Sequence, residues 1–228
     1  ANNNEAIINK LAKNSVKTNK KQYAILFFTI ILSAFMLFCV FTIGMTYLDS
    51  SRLQNTRLNG AEYDILTMNG FTLEQLNTLR QNENIRSVGI ESYAGFIQST
   101  EYDKTVEIGL LWCDEVFWDN LMSPARTKLD GHYPQNKNEL MVTKNILKTC
   151  GNENLSVGDS LILTYENNTG VYTDEFVISG IWDGYGDTSA GFVSKAFYDE
   201  TGYDLKNNGI LCIKLNCNYV FPTTIQSI

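Results

Sequence analysis

Few residues in this sequence have the types and spacing that covalent catalysis requires. The single histidine, His132, lies two residues before Pro134 in a turn-forming segment, where a solvated imidazole is far commoner than a catalytic base. The sequence contains neither the GxSxG pattern of serine hydrolases nor the GxxxxGK[ST] loop that holds nucleotide phosphates. We therefore expect a protein that is not an enzyme and does not bind ATP by itself.

Residues able to hold a metal or a cofactor are equally sparse. The segment Asp183–Asp187 (DGYGD) has the outline of a calcium loop, but Tyr185 occupies the middle ligand position and no spaced glutamate follows, which favours a glycine-rich turn. The cysteines and the histidine lack zinc-ligand spacing. Gly184, Gly186 and Gly191 do not open a helix, as a dinucleotide fingerprint requires. We expect no cofactor and no metal.

The five cysteines leave two alternatives open. Cys39 lies in an apolar stretch, and the other four are Cys113, Cys150, Cys212 and Cys217. Four cysteines in an exported domain allow two disulfides with three pairings. The alternative is a set of free thiols packed as small apolar side chains, in a domain large enough to fold without crosslinks.

The longest uncharged stretch, Gln22–Leu48, is the element around which the chain is organised. A helix needs about 20 mostly apolar residues to cross a bilayer core of about 30 Å, and this stretch is longer. Tyr23 and Tyr47 lie at its ends, where their rings suit the lipid headgroup level. We predict a transmembrane helix over residues 23–48. Its inner polar side chains are hydroxyls that can bond back to helix carbonyls, namely Thr29, Ser33, Thr42 and Thr46.

The charges on either side of this helix predict its orientation. Residues 1–21 hold five lysines and one glutamate, net +4, whereas residues 49–228 hold 13 basic and 24 acidic side chains, net −11. Because positive charge marks the cytoplasmic side, we expect a cytoplasmic N-terminus and an extracytoplasmic acidic part. A cleavable signal peptide would have a shorter apolar region of about 7–15 residues, so an anchor is favoured. The acidic outer part also argues against nucleic acid as a partner.

The polar lead-in, residues 1–22, has helical periodicity. Ile7, Ile8 and Leu11 fall roughly opposite a row of lysines. This pattern indicates an amphipathic helix lying on the inner leaflet, with membrane lipids as partners; the alternative is an unfolded basic flank. The residues assigned to the membrane interface are Lys10, Lys13, Lys17, Lys20, Lys21, Tyr23 and Tyr47.

Beyond the predicted span, residues 49–60 continue the helical pattern. They contain no proline, and Gly60 stands where a helix would end in the left-handed conformation. We predict that the membrane helix continues outward as a stalk. A continuous helix of this kind would transmit displacement between the membrane and the outer domain.

From Ala61 onward, short strands and helices alternate, which predicts a mixed α/β domain over residues 61–228 and a membrane-anchored α+β fold class. Thr72 and Gln75 have the spacing of a capping box at the start of a helix. Further helices are predicted at 114–122, 144–149 and 195–200. Strands are predicted at 62–68, 85–98, 105–112, 139–143, 160–165, 174–182, 190–193 and 210–215.

Several short motifs follow one another in the outer domain. They are Asp130–Pro134 (DGHYP), Asn138–Val142 (NELMV), Val157–Asp159 (VGD) and Phe176–Ile181 (FVISGI). This series resembles the GRYP, NEIVLS, VGD and FTVVGI series of FtsX-like, MacB-type ABC transporter permeases, with a histidine replacing the usual arginine. The lead-in segment LAKNSVK is similar to the LA-(R/K)-x-S pattern that precedes the first membrane helix of that family.

The residues of this series are turn and strand formers, which we expect to support the domain and to catalyse nothing. Those singled out as structural are Gly131, Pro134, Glu139, Gly158, Asp159 and Gly180. The resemblance further implies a division of the outer domain. Residues 61–123 and 183–228 would form a porter-like part made of β-α-β units, and residues 124–182 an inserted β-rich part.

The resemblance also implies a function. It predicts a permease subunit in a bacterial inner (cell) membrane that works with an ABC ATPase, as a homodimer or with a paired permease. ATP hydrolysis by that partner would move the outer domain, which would act on a peptide, lipid or lipoprotein. Three more membrane helices follow in that family, so we expect the native chain to continue beyond Ile228. The alternative is a single-pass membrane-anchored binding or sensor protein without an ATPase.

Overall fold

The computed structural model describes residues 2–98, 108–185 and 190–216 and divides into two compact units, Ala1–Leu53 and Gln54–Ile228. The helices are α1 (Asn2–Thr18), α2 (Lys20–Asn59), α3 (Leu73–Arg80), α4 (Lys144–Thr149), α5 (Lys195–Tyr198) and α6 (Leu205–Asn208), with a π-helix at Val116–Leu121 and a 3-10 helix at Ser123–Ala125. The strands are β1 (Ile65–Thr67), β2 (Ile85–Ile97), β3 (Ile108–Cys113), β4 (Arg126–Gly131), β5 (Glu139–Thr143), β6 (Ser160–Asn167), β7 (Gly170–Gly184), β8 (Ala190–Val193) and β9 (Gly209–Leu215).

The first unit is helical. Helix α1 ends at Thr18, and α2 begins one residue after Asn19 and continues for 40 residues, a length of about 60 Å. Among the described residues, α2 is the one helix long and apolar enough to cross a membrane, with a mean hydropathy of 2.8 over its most apolar window. Most of the predicted lead-in (residues 1–22) and of the predicted stalk (residues 49–60) is therefore helical. Gly60 follows α2 directly and has a φ of +74°, which is the left-handed conformation.

The second unit is built on one mixed sheet. Its strand order is β1-β9-β2-β3-β8-β5-β7-β4, and β6 pairs with both β2 and β7. The β3–β8 and β5–β7 pairs are parallel and the others are antiparallel. Since β6 joins β2 to β7, the pairings close a ring of six strands (β2, β3, β8, β5, β7 and β6). Strand β2 can serve three partners because β9 and β6 occupy successive stretches of one edge.

Two apolar clusters stabilise this unit. The larger draws on the strands and on α3, α4 and α5, and it includes Phe176, Ile178 and Leu140, all of them buried. The smaller one is rich in aromatic rings and lies between the π-helix and strands β7, β8 and β9. Burial of side chains this size stabilises a fold by about 1.5–3 kcal/mol each, before the entropy of ordering is subtracted.

The structure confirms the predicted architecture of one apolar helix followed by a mixed α/β domain. The capping box is present, since the hydroxyl of Thr72 accepts from the N–H of Gln75 and the Gln75 side chain accepts from the N–H of Thr72. Strand β5 has the predicted bounds, and β6 and β7 form the predicted hairpin. The division of the outer domain into porter-like and inserted parts stays a prediction.

Two elements differ from the prediction, and some predicted residues lie outside the described part of the chain. Strand β4 was not predicted, because its side chains are mostly exposed and polar and show no alternation; it forms by pairing with the end of β7. The helix predicted at 114–122 is a π-helix, in which the Met122 N–H donates to the Phe117 carbonyl five residues back. Residues 105–107 of a predicted strand, Asp187 and Cys217 lie outside the described residues.

Candidate functional site

The predicted membrane-interface residues all lie exposed on the first unit. The lysines at positions 10, 13 and 17 belong to α1, and α2 carries Lys20, Lys21, Tyr23 and Tyr47. Their assignment to lipid headgroups stays a prediction.

The polar side chains within the apolar part of α2 are satisfied by the helix itself. The hydroxyls of Thr29, Ser33, Thr42 and Thr46 each donate to the carbonyl four residues earlier, over 2.8–2.9 Å. A helix in lipid has no water to bond such groups, so these bonds fit α2 to a bilayer.

The predicted structural residues Gly131 and Gly180 face each other where β4 crosses β7. Gly131 has a φ of +87°, and a Cβ on it would lie 2.2 Å from the carbonyl oxygen of Ser179. A Cβ on Gly180 would lie 2.9 Å from the carbonyl oxygen of His132. Only glycine permits this close backbone contact.

The other predicted structural residues tie nearby loops to the same part of β7. The Glu139 carboxylate accepts hydrogen bonds from the N–H groups of Gln135 and Asn136, at 2.7 and 3.1 Å. These two residues directly follow Pro134, which is buried. Burial opposes ionisation of Glu139, but these hydrogen bonds outweigh it and lower its pKa. Glu139 itself pairs with Val177 in the β5–β7 ladder, so this loop is anchored beside residues 177–180.

The second of these loops contains Gly158 and Asp159. The Gly158 N–H donates to the Ile178 carbonyl at 2.8 Å, and the Ile178 N–H donates to the Asp159 carbonyl at 2.9 Å. The Asp159 carboxylate accepts from the N–H of Ser156 at 2.7 Å. These contacts brace the fold, and none of them presents a reactive group.

The last residues of α2 belong to the second unit and make contacts within it. Thr56 and Ala61 are buried, and the Arg57 guanidinium lies 4.0 Å from the centre of the Tyr185 ring. Gly60 then turns the chain, and the Glu62 N–H donates to the Leu121 carbonyl at 2.7 Å. The residues from Thr56 to Glu62 are called the junction below.

Charged side chains extend the junction onto β9. Lys214 pairs with Glu62 at 3.0 Å and with Asp64 at 3.4 Å. The Asp64 carboxylate also accepts from the N–H of Leu215 at 2.9 Å, and the Asp64 N–H donates to the Ile213 carbonyl. The chain leaving α2 is thus bonded to the sheet by backbone and side chains together.

Beside the junction lies a cavity of about 270 Å³, called the junction cavity. Its wall includes Asn59 and Gly60 at the end of α2 and rings from the aromatic cluster. The cluster rings pack edge to face or tilted, with Trp182 and Phe192 centred 5.6 Å apart and Trp118 and Phe192 5.4 Å apart. Trp182 is 2% exposed, and its indole N–H has no hydrogen-bond partner among the described residues.

Glu91 on β2 carries the carboxylate that lines the junction cavity. Glu91 is half-buried, and the loss of water around its carboxylate raises its pKa to about 7. Across the described residues 2–98, 108–185 and 190–216, no basic side chain lies within ion-pair distance of it. Glu91 therefore titrates near neutrality without a counter-ion.

The groups around Glu91 stay neutral at physiological pH. Burial raises the pKa of Tyr63, Cys113, Tyr133 and Cys212 above their ordinary values. Tyr133 is also bound in place, since its hydroxyl accepts from the Cys113 N–H at 3.0 Å and lies 3.2 Å from the Cys113 carbonyl. Glu91 is thus the group of this set that changes charge near neutral pH.

Asp114 positions the π-helix that borders the cavity. Its carboxylate accepts from the N–H groups of Ile90 and Phe117, both at 2.9 Å, and pairs with Arg80 at 2.9 Å. Arg126 lies over the Trp118 ring at 4.0 Å, and this basic side chain is engaged there.

The junction cavity could not be predicted from the chemistry-bearing residues of the sequence. His132 is exposed and its Nδ1 lies 3.0 Å from the Tyr133 carbonyl oxygen, away from any nucleophile among the described residues. Cys113, Cys150 and Cys212 are free thiols. Within the described ranges, no three His, Cys, Asp or Glu side chains are placed to hold a metal. Glu91 could not be recognised as a cavity residue from the sequence, because a single charged residue in a strand usually faces solvent.

Two solved domains of ABC-type transporters are partly similar to this chain. The chain is similar to the extracellular domain of the noncanonic ABC-type transporter YknZ from Gram-positive bacteria, with 14% identity, a TM-score of 0.44, and coverage of 69% of this chain and 78% of that one. It is also similar to the periplasmic region of MacB from Actinobacillus actinomycetemcomitans, with 12% identity, a TM-score of 0.44, and coverage of 71% and 78%. No family model and no curated protein matches the sequence. Both TM-scores lie below 0.5, so neither likeness decides what this chain does.

Proposed function

We propose that this chain is a permease subunit of an ABC transporter, and that it is not itself an enzyme. An ATPase partner hydrolyses ATP in the cytoplasm, and α2 carries the resulting movement across a bacterial cell membrane to the outer unit. The outer unit then acts on a peptide, lipid or lipoprotein. The subunit works as a homodimer or with a paired permease.

The observation that carries this proposal is the continuity of α2. Its 40 residues span about 60 Å, twice the thickness of a bilayer core of about 30 Å. The last six residues of α2, Gln54 to Asn59, belong to the second unit. A helix transmits axial displacement, whereas a linker rich in glycine would absorb it.

The junction supports the same proposal, because its contacts connect the end of α2 to the sheet. Backbone hydrogen bonds from Glu62 and Asp64 reach the π-helix and β9, and Lys214 pairs with both carboxylates. Any movement of the end of α2 must shift or strain these contacts.

Charge supports the proposed orientation. Five lysines lie within the first 21 residues, before the predicted span of residues 23–48, and the 180 residues after that span carry a net charge of −11. Lysines close to a membrane helix favour the cytoplasmic side. The absence of charged residues inside the span also favours a helix that transmits motion over one that lines an ion pathway.

The test interrupts α2 between membrane and junction. Ser51→Pro removes a backbone hydrogen bond and kinks the helix, at a cost of about 3 kcal/mol, and Ser51→Ala is the matched control that keeps the helix. The protein is purified from native membranes with whatever ATPase accompanies it, and tryptophan fluorescence is recorded on adding ATP. All three tryptophans, Trp112, Trp118 and Trp182, report on the second unit.

We expect an ATP-dependent fluorescence change in the wild type and in Ser51→Ala. The change should be lost in Ser51→Pro, while ATP hydrolysis and membrane location persist. A full fluorescence response in the proline variant would refute transmission through α2. If no ATPase accompanies the wild-type protein, the single-pass sensor becomes the better assignment.

A further inference from the structure

The junction cavity has the size and lining of a small-molecule site. Its volume of about 270 Å³ compares with about 150 Å³ for a protein cavity that admits benzene, so it admits a molecule of about ten non-hydrogen atoms. Five aromatic side chains contribute to its wall: Tyr63, Tyr93, Phe117, Trp182 and Phe192. An apolar cavity with very few polar groups is the usual form of such sites.

The carboxylate of the cavity has no counter-ion, because no basic side chain of the described residues lies within ion-pair distance of Glu91. Of the basic side chains on neighbouring elements, Lys214 pairs with Glu62 and Asp64, Arg57 lies over the Tyr185 ring, and Arg126 lies over the Trp118 ring. An unpaired carboxylate in an apolar site is costly, and a cation that entered the cavity would offset that cost.

Aromatic faces and a carboxylate together define the chemistry of the ligand. The faces of Trp, Tyr and Phe attract cations, and the attraction grows when water is excluded. An anion would be repelled by Glu91, and a neutral apolar molecule would leave the carboxylate uncompensated. We propose that the junction cavity binds a small protonated organic amine, whose ammonium group pairs with the Glu91 carboxylate and whose apolar part contacts the surrounding rings.

The position of the cavity gives this site a consequence. Asn59 and Gly60 form part of its wall, so a bound amine contacts the end of α2. Binding therefore stabilises the junction in the arrangement described above. This site is independent of the proposed permease function, since it needs neither an ATPase nor a transported substrate.

The test compares three probes of nearly equal size: phenethylamine, phenethyl alcohol and phenylacetate. Each is titrated into the whole chain in lipid nanodiscs, with binding followed by tryptophan fluorescence and by calorimetry. Glu91→Gln keeps the shape of the side chain and removes its charge. Ala190→Leu fills the cavity from another wall position and serves as a second, independent variant.

We expect saturable binding of phenethylamine that is at least tenfold tighter than binding of the alcohol or the acid. Glu91→Gln should weaken it at least tenfold, and Ala190→Leu should abolish it, with both variants folded by circular dichroism. Affinity should rise between pH 5 and pH 8 as Glu91 ionises, because Tyr63, Cys113, Tyr133 and Cys212 stay neutral over that range. The other carboxylate beside the π-helix, Asp114, pairs with Arg80.

Other results overturn the proposal. Equal affinity for the amine and the alcohol would show that the cavity binds apolar molecules without recognising a positive charge. Unchanged binding to Glu91→Gln would place the amine elsewhere, as would unchanged binding to Ala190→Leu. Absence of saturable amine binding at millimolar concentration in the wild type would exclude the site altogether.

Discussion

Replacing Glu91 by glutamine should make the second unit more stable at neutral and mildly alkaline pH. Burial raises the pKa of Glu91 from its ordinary value of 4.5 to about 7. The folded state therefore holds a proton that the unfolded state has already released between these two values. The free energy of unfolding falls as pH rises through this window, because the folded state binds more protons than the unfolded state.

The expected magnitude follows from the shift. One pKa unit corresponds to 1.36 kcal/mol, so Glu91 costs the folded wild-type protein about 3 kcal/mol at pH 8 relative to pH 4. Glutamine stays neutral and escapes that cost. The difference in unfolding free energy between Glu91→Gln and wild type should be near zero at pH 4 and should grow to about 3 kcal/mol in favour of the variant at pH 8.

Urea unfolding of the whole chain in detergent, followed by tryptophan fluorescence, measures this difference. Comparing variant with wild type removes the effect of other carboxylates. Hydrogen bonds lower the pKa of Asp204, and the hydrogen bonds to Glu139 outweigh its burial and lower its pKa too. The stability that these two carboxylates contribute to the fold is therefore lost as pH falls, which is opposite to the effect of Glu91. A difference that stays constant from pH 4 to pH 8 would show that Glu91 ionises normally and would refute the reasoning.

Two further pairs of substitutions test the contacts that hold the second unit together. In Gly131→Ala the backbone has a φ of +87° and the new Cβ would lie 2.2 Å from the Ser179 carbonyl oxygen, so the free energy of urea unfolding should fall by about 3 kcal/mol or more. In Gly158→Ala the φ is +96° but no atom lies within 4 Å of the new Cβ, so the free energy of unfolding should fall by only about 1–2 kcal/mol. Equal losses would contradict the proposed clash. Asp114→Ala leaves two backbone N–H groups and a guanidinium without their acceptor and should cost about 3 kcal/mol, whereas Asp114→Asn keeps one acceptor oxygen and should cost clearly less; similar unfolding midpoints for the two variants would argue against that hydrogen-bonding role.

The sequence predicted best those features that depend on neighbouring residues. The apolar helix is set by a run of uncharged side chains, and its end by Gly60 in the left-handed conformation. The capping box at Thr72 and the hairpin around residues 167–170 follow from residue types a few positions apart. Local chemistry decides these elements, so a sequence alone can reveal them.

Features that depend on distant residues could not be predicted. The pairing of β6 with both β2 and β7 closes a ring between segments far apart in the chain. The junction cavity likewise forms only when the end of α2, β2, β8 and β9 meet. Glu91 has an ordinary position in its strand, and only these tertiary contacts bury it and raise its pKa.

Labelling of cysteines on the two sides of α2 determines the topology of the chain, and the proposed function depends on that topology. Single cysteines are introduced at Lys13 on α1 and at Glu153 in the second unit, both exposed, and are labelled with a membrane-impermeant maleimide in intact cells or spheroplasts against the wild-type background. A cytoplasmic N-terminus predicts labelling of Glu153→Cys before lysis and of Lys13→Cys only after lysis. Labelling of Lys13→Cys in intact cells, or protection of Glu153→Cys until lysis, would contradict it.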